Sequence, residues 1–558
     1  MSDSQRLADL LLPDIDKAID YYENMYPPRE LPEGSRVTRV APSPTGYLHI
    51  GTLYISLIDR IAATQSGGVF YTRIEDTDKK REVAGGIDDI INGLIRYGIE
   101  IDEGFVAPGE QKGEYGPYQQ SKRAHIYQCY AKHLIAKGLA YPCFCTEEEL
   151  EKVRKEQEAL KLRTGYYGKW AKHRDITFEE AKKLIEEGRP YVIRLKSPGK
   201  EENRIYFDDG IKGRIEMPEN DEDFVILKSD GIPTYHFAHV VDDHLMRTTH
   251  VIRGDEWVSS TPKHLQLFKL FGFKPPKYIH VAPIMKLEGG SKRKISKRKD
   301  PEAAVYYYYE KGYPKESVLE YLMTIANSDY EDFRRANPDE PFMNFKFSFK
   351  KMSVSGALFD GDKLNDVSRD VISRMKVDRV VDYLLEWSAE YNKEFYRLIS
   401  ADIDYTKKIF NIDRDVPKPR KDIAFWQEAV DYSSYFFDET FKPCYDLPEN
   451  IDVADAVKIL DEYIKAYAPT DNRQEWFEQI KAICPAVGYA SETKEYRKNP
   501  DKYKGYVGDA STVIRIAVTG RRNTPDLCQI MDILGYERCL QRLKSAREFY
   551  KNLSEGLK

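Results

Sequence analysis

No stretch of this chain approaches the ~18 consecutive apolar residues that a bilayer-crossing helix needs, so no membrane span is expected and a soluble globular protein is. A secretory leader is not expected either: the opening MSDSQRLADLLLPDIDKAID sets acids among its leucines and has neither a basic start nor a cleavage site. Cysteine is scarce. Seven of them, an odd number scattered along 558 residues, argue against a disulfide framework and for a reducing compartment, so a cytoplasmic location is expected. Positive charge is not in excess; a net charge of -6 gives no general pull toward nucleic acid, and any polyanion site has to come from local clustering. With 41% hydrophobic and 32% charged residues the chain is too long for one core, and about three to five domains of roughly 100 to 200 residues are expected.

Local clusters do occur, and the first lies within VAPSPTGYLHIGTLYISL, residues 40–57. RVTRVA at 36–41 alternates with β-branched residues as a strand does. LYISLIDRIAATQ at 53–65 carries apolar side chains at helical spacing and stops at Gly67-Gly68, and VFYTRI at 69–74 reads as a second strand. The three make a βαβ unit. Pro42 and Pro44 end its first strand. Gly46 and Gly51 let the backbone turn toward a ligand where free N–H groups of a helix start face phosphate, with His49 beside them. Standing alone, such a stretch is more often a plain strand-to-helix turn. A second cluster, KLEGGSKRKISKRK at 286–299, sets seven basic side chains in fourteen positions around a Gly-Gly turn. A Lys/Arg run is usually solvated surface. Here Lys294, Lys297 and Arg298, arranged around Ser296 on a mobile loop, are spaced to close on a triphosphate, where one preorganised donor facing the charge on departing phosphate is worth about 3 kcal/mol.

The pair HIGT and KISKR, one at a first βα turn and the other more than two hundred residues later, resembles the signature of the class I aminoacyl-tRNA synthetases. Within that class the chain is similar to the bacterial glutamyl-tRNA synthetases. APSPTGYLHIG, RIEDTD (73–78), PTYHFAHVVDDHLMRTTHVIRGDEW (233–257), KISKR, SGALFDGDKLN (355–365) and IRIAVTGRRNTPDLCQIMDILGYERCLQRL (514–543) fall in that family's order, from about residue 36 to the C-terminus. The resemblance implies a reaction in two steps: glutamate attacks the α-phosphate of ATP to give glutamyl-adenylate and pyrophosphate, and the terminal ribose of tRNA then takes the glutamyl group. It implies ATP as a substrate, Mg²⁺ held through the triphosphate rather than by a protein cage, tRNA(Glu) as partner with tRNA(Gln) left open as a second, and a monomer.

A dicarboxylic amino acid needs two cationic partners and one anionic one, because buried charge is tolerated only when paired. By the resemblance, Arg39 and Arg253 receive the two carboxylates, which takes which being open, and Glu75 receives the amino group. Ala41, Ser43, Tyr235 and His239 are implied at the same pocket. The planar fork of arginine fits a carboxylate as lysine does not. Outside the motif context a lone Glu or Arg on a strand is a surface ion pair. For ATP, the resemblance implies His49, Gly51 and Thr52 at the phosphates and adenine, Asp255, Glu256 and Trp257 along the nucleotide pocket, and Ile284 and Met285 at the edge of the adenine. Lys297, with Lys294 and Arg298 in support, is implied as the moving phosphate contact.

The chain departs from the family pattern at several points. Thr52 stands where glycine or histidine is usual, and a threonine at a helix start can cap N–H groups. His239 stands where relatives commonly carry asparagine. Cys143 and Cys145 form a C-x-C that begins a zinc site in part of the family, but Trp170 takes the place of a partner cysteine and His173 brings only a third ligand, so no structural zinc is expected. Residues 1–35 form an extension with helical periodicity, and RRANPDEPFMNFKF at 334–347 is a longer connection than usual; neither is assigned a role.

The implied fold class is α/β, with a Rossmann-like parallel-sheet catalytic domain in two halves, 36–142 and 240–300. Between them 143–239 forms an α+β insertion for the tRNA acceptor end, with strands in YVIRLKSP, RIYFDD and DFVILKSDGIP. A stem-contact domain at 301–390 and an all-α anticodon-binding region at 391–558 follow, the latter carrying KPRK (417–420) and GRR (520–522) as candidate phosphate contacts. Rival readings are a glutaminyl-tRNA synthetase, whose first motif typically reads PEPNG or PEPSG and whose tail is a β-barrel, and a catalytically silent tRNA-binding paralogue. Intact His49, Lys294, Ser296 and Lys297 count against the second. A short relative that charges a modified base in tRNA is excluded by length.

Overall fold

The structure, a computed structural model, describes residues 2–78 and 81–556. They divide into two compact units, 1–307 with 319–360 and 308–318 with 361–558, so the segment 301–390 contributes to both.

In the first unit Val37–Val40 and Val69–Thr72 pair in parallel, residue 37 opposite 69, and the helix Ile50–Thr64 crosses between them. This is the βαβ unit the sequence pattern predicts. The helix forms because Leu53, Tyr54, Leu57, Ile58, Ile61 and Ala62 recur at three- and four-residue spacing and are all buried. A second parallel pair, His250–Gly254 with Lys277–Val281, joins the first where Val37 O accepts the Thr249 N–H at 3.1 Å and Val37 N–H donates to Thr249 Oγ1 at 2.8 Å. Arg39 and Arg253 thus lie near the carboxyl ends of their strands, with Glu75 just beyond the end of a third. Open α/β sheets take up ligands at these ends.

The insertion is a three-stranded antiparallel sheet, Ala140–Cys143, Val192–Leu195 and Val225–Leu227, followed in space by the hairpin Arg204–Asp209/Gly213–Pro218. Three of these five strands, Val192–Leu195, Arg204–Asp209 and Val225–Leu227, fall inside the three expected segments; Ala140–Cys143 and Gly213–Pro218 lie outside them. The N-terminal extension is part of the core: helices Asp3–Leu11 and Ile19–Met25 bury Leu7, Leu11 and Tyr22 in the same cluster as Tyr127, Leu134 and Phe237. Arg29 then grips Glu103 with two hydrogen bonds of 2.6 and 2.9 Å. The long connection 334–347 docks on the end of the helix Ile50–Thr64, where Gln65 Nε2 donates to Met343 O and Gln65 Oε1 accepts the Phe347 N–H.

One expectation needs correction. The basic cluster is not a free loop: Ile284–Glu288 and Ser291–Lys294 form an antiparallel hairpin, and Ile284–Met285 also pairs with Ala357–Leu358 of the SGALFDGDKLN segment. Buried Asp300 then pins the turn that follows, accepting the Ser296 N–H at 2.9 Å and both terminal nitrogens of Arg293 at 2.6 and 2.8 Å. A carboxylate with three such donors fixes the backbone beside Lys294 and Lys297.

In the second unit every regular element among the described residues is helical, as the periodicity predicts. Val453–Ala466 shows the pattern: Asp452 caps its start, accepting the Ala454 N–H at 2.8 Å, and Ala456, Ile459, Leu460 and Tyr463 make one buried stripe. That stripe joins a core with Leu384, Trp426, Val513 and Leu543.

Candidate active site

The turn after Val40 and the basic hairpin meet. The Lys297 ammonium donates to Tyr47 O, and a side chain on Gly46, whose φ is +144°, would lie 3.8 Å from that nitrogen. His49 is the N-cap of the helix Ile50–Thr64: its Nδ1 accepts the Gly51 N–H at 2.9 Å, and its carbonyl accepts the Thr52 and Leu53 N–H groups. Thr52, expected as a possible cap, sits inside the first turn, and the capping falls to His49 instead. Burial first, and then the Lys297 and Lys294 ammonium groups, push the His49 imidazole down to about 4. It is neutral at ordinary pH, and with Nδ1 accepting, Nε2 carries the proton. Burial lowers the Lys297 ammonium as well. Lys294 pairs with Glu256 at 3.1 Å, while Arg298 is exposed with no ion pair among the described residues.

Glu75 is set at the strand ends because residues 73–75 run alongside 40–42: Arg73 N–H donates to Val40 O and Glu75 N–H to Pro42 O, each at 3.0 Å. This brings Glu75 beside Ala41 and Ser43. Sequence reasoning missed the group that holds it. Arg73, fully buried, donates to Glu75 Oε1 at 3.0 Å and to Asp243 Oδ1 at 2.6 Å. The same Asp243 oxygen takes Arg39 Nε at 3.3 Å. Burial works to raise the Asp243 carboxyl, but Arg39 and Arg73 hold it below its usual range. Adjacent Asp242 is used by Arg123, Gln120 and Tyr127. An acid doublet inside the otherwise buried helix Tyr235–Leu245 was the available signal.

Arg253 is different. It is 5% exposed, and all its hydrogen bonds go to neutral acceptors: His280 Nε2 at 3.0 Å, Tyr235 Oη at 3.3 Å, His264 Nδ1 at 3.2 Å, Trp257 O at 3.2 Å and Thr261 Oγ1 at 3.0 Å. Among the described residues no carboxylate lies within ion-pair distance of it. His239, fully buried, stands between the arginines; burial and then Arg253, Arg39 and Arg73 drive its pKa well below the ordinary value. Its Nδ1 is 3.1 Å from Asp243 Oδ2 but out of line for a hydrogen bond, and its Nε2 pairs with Tyr278 Oη at 3.0 Å. Tyr235 stacks on Trp257 at 4.3 Å, and that indole keeps 38% exposure. Asp255 pairs with Lys212 at 3.2 Å, Ile284 is buried, and Met285 faces Lys294 across the hairpin.

The insertion carries a further cluster. Cys143, Cys145 and His173 converge, their ligand atoms within 4.8 Å of one another, and the Tyr166 hydroxyl touches both sulfurs at 3.3 and 3.5 Å. The expectation of no structural zinc rested on a count of three ligands, and the same three converge here; the Tyr166 phenol, whose proton burial and the two sulfurs hold more firmly than usual, is a hydrogen-bond partner of the thiols from a residue the spacing did not single out. Hydrogen bonding, first with Cys145 and then with His173 and Tyr166, holds the Cys143 thiol down, and the Cys145 thiol is raised in return. In the helical unit Arg420 is taken up by Asp422, Arg521 by Asp431 and Arg522 by Asp446.

A parallel sheet split by an insertion, with the two signature motifs in contact at the strand ends, is the architecture of a class I synthetase. Residues 36–366 match the family described as tRNA synthetases class I (E and Q), catalytic domain, and residues 379–547 match an anticodon binding domain. The glutamate-tRNA ligase of Clostridium perfringens strain SM101 is 52% identical over 544 residues, covering 97% of this chain and 99% of that protein. That of Acetivibrio thermocellus is 50% identical over 543 residues, covering 97% and 99%. A crystal structure of a glutamate tRNA ligase from Elizabethkingia meningosepticum, in complex with its amino acid, superposes with a TM-score of 0.74 at 28% identity over 92% of this chain and 99% of that one. The chain belongs to the glutamate-tRNA ligase family of class I synthetases.

The buried imidazoles set a pH dependence. Burial, as the leading cause, lowers His49, His236 and His250 to about 4, His239 and His264 well below their ordinary value, and His280 to a lesser degree. In the unfolded chain the same groups take protons near pH 6.5, so the unfolded state binds more of them in acid. Stability is therefore fully present above about pH 6.5 and is lost as pH falls toward about 4. Urea unfolding midpoints at about pH 7.5 and about pH 5 check this, the lower being expected in acid; equal midpoints would sink it.

Proposed function

We propose that this chain activates L-glutamate with ATP to glutamyl-adenylate, releasing pyrophosphate, and passes the glutamyl group to the 3'-terminal ribose of tRNA. The observation that carries the reading is Arg253, a buried guanidinium with neutral neighbours only. An unpaired buried charge costs several kcal/mol, and a substrate carboxylate is the group that offsets it. In this reading Arg39 and Arg253 take the two carboxylates, and Glu75, steadied by Arg73, takes the ammonium group. Ala41, Ser43, Tyr235 and His239 wall the pocket. Neutral His239 adds no charge of its own to a site already rich in guanidinium.

ATP lies across the helix start. The His49 Nε2–H and the positive end of the helix Ile50–Thr64 face its phosphates, with Gly51 and Thr52 lining the approach while their own N–H groups stay on His49. Ile284, Met285 and Trp257 frame the base, with Asp255 and Glu256 beside it. Lys297, with Lys294 and Arg298, meets the charge that builds on pyrophosphate as the glutamate oxygen attacks the α-phosphate. Mg²⁺ accompanies the triphosphate. No covalent enzyme intermediate is required, since positioning and charge supply the acceleration. The partner is tRNA(Glu), bound at its anticodon end by the helical region; tRNA(Gln) is tested as a second substrate. We assign the chain to the cytoplasm as a monomer, and retain the six-segment domain layout.

Pyrophosphate exchange with glutamate, ATP and tRNA present tests the whole reading, and no exchange defeats it. Lys297→Ala is expected to slow single-turnover activation at least about tenfold with tRNA affinity nearly intact; an unchanged rate removes the assigned role. Arg253→Gln is expected to raise the KM for glutamate far more than that for ATP, and equal losses count against it. Charging purified tRNA of both kinds defines the tRNA range. For Cys143, Cys145, His173 and Tyr166, elemental analysis of the purified protein is expected to find substoichiometric zinc, and a stoichiometric, tightly held ion overturns that expectation.

A further inference from the structure

What holds Arg253 in place is a chain of groups that begins in the insertion. Arg253 Nε donates to His280 Nε2 at 3.0 Å. The other ring nitrogen, Nδ1, lies 2.7 Å from Asp209 Oδ2, and the His280 backbone N–H donates to the same oxygen at 3.1 Å. His280 is fully buried and Asp209 nearly so. The neighbours dictate the tautomer: a guanidinium can only donate and a carboxylate can only accept, so the His280 proton sits on Nδ1 and its lone pair faces Arg253. Burial, opposed by Asp209, lowers the His280 pKa, which keeps the ring neutral.

Asp209 is itself tightly set. It ends the hairpin strand Arg204–Asp209, and its other oxygen accepts the Ile211 and Lys212 N–H groups, each at 2.9 Å. The Gly210 N–H donates to Tyr278 O at 2.9 Å, and a Cβ on Gly210 would stand 2.6 Å from Ile279 Cγ1, so only glycine lets the hairpin base close on the strand Lys277–Val281. Lys212 goes on to Asp255 at 3.2 Å.

We propose that Asp209 and His280 are positioning residues for Arg253: carboxylate, imidazole of fixed tautomer and guanidinium stand in series, so that the base of the insertion hairpin orients the receptor of a substrate carboxylate. The proposal rests on the reading that Arg253 receives that carboxylate. The logic is that of an outer carboxylate orienting a histidine that in turn holds a charged centre. Asp209 supplies negative charge at one remove, close enough to ease the burial of Arg253 and far enough not to occupy its fork. A direct ion pair would compete with substrate, whereas the imidazole spacer leaves the outer nitrogens, Nη1 now on Tyr235 and His264 and Nη2 on Trp257 O and Thr261, to exchange partners.

The test is pyrophosphate exchange with tRNA present, using Asp209→Asn, Arg253→Gln and the double variant. D209N is expected to raise the KM for glutamate about tenfold, in line with loss of an outer carboxylate, with the KM for ATP little changed. The double variant is expected to be no worse than R253Q alone, because both act through one guanidinium. As a second arm, His280→Ala should show the same selective loss, and His280→Gln, whose amide oxygen can replace Nε2 as acceptor, should recover part of it. If D209N fails to fold, the H280A and H280Q pair gives the same readout. A loss shared equally by glutamate and ATP, a double variant worse by the product of the single effects, or no recovery in H280Q would overturn the proposal. R253Q impaired with D209N silent overturns this inference alone, while R253Q silent toward glutamate overturns the carboxylate-receptor reading and this inference with it.

Discussion

The site depends on three buried guanidinium groups that the protein neutralises unequally. Arg39 and Arg73 share Asp243, and Arg73 also reaches Glu75. Arg253 has hydrogen-bond acceptors but no counter-ion among the described residues. Electrostatics inside a protein make that difference large, because an ion pair missing in a dry site is not replaced by water. Arg73 is satisfied as structure, Arg39 has only a share of Asp243, and Arg253 keeps a charge that a carboxylate ligand can meet. The neutral histidines around it follow from the same field: near so many cations, burial and repulsion together keep them unprotonated.

The parallel sheet brings these groups together from distant positions. Arg39, Glu75 and Arg253 come from three segments, each at or just past the carboxyl end of a strand. The register of Val37–Val40 with Val69–Thr72 fixes Glu75 against residues 41–43, and the Val37–Thr249 contact brings the second half of the sheet alongside. The N-terminal extension and the connection 334–347 bind this framework from outside, through Arg29 with Glu103 and through Gln65. Both carry backbone and side-chain contacts of a kind that mobile surface segments lack.

The cationic hairpin and the helix start converge on the same region by different means. The helix offers amides and a neutral imidazole whose tautomer is set by the Gly51 N–H. The hairpin offers ammonium groups held out by the Asp300 anchor. Fixed dipoles cost no reorganisation, and the ammonium groups add full positive charge beside them.

Read alone, the sequence determined the βαβ unit around His49, three of the insertion's five strands and the helical tail, and it singled out Arg39, Glu75, Arg253 and Lys297 as candidates. These follow from local periodicity and from short motifs, whose information lies within a few residues. It could not reveal that Arg73 steadies Glu75, that Asp243 serves two arginines, that Asp209 reaches Arg253 through His280, or that Tyr166 joins the two thiols and His173. Each of those partners lies far away in sequence or points from a face that periodicity does not distinguish. Nor could it tell that the KISKR segment is an anchored turn at the end of a hairpin, since Asp300 reads as one acid among many until the turn closes on it. Local pattern decides which elements form; only the packing of those elements decides which buried charges are paired and which one is left for a ligand.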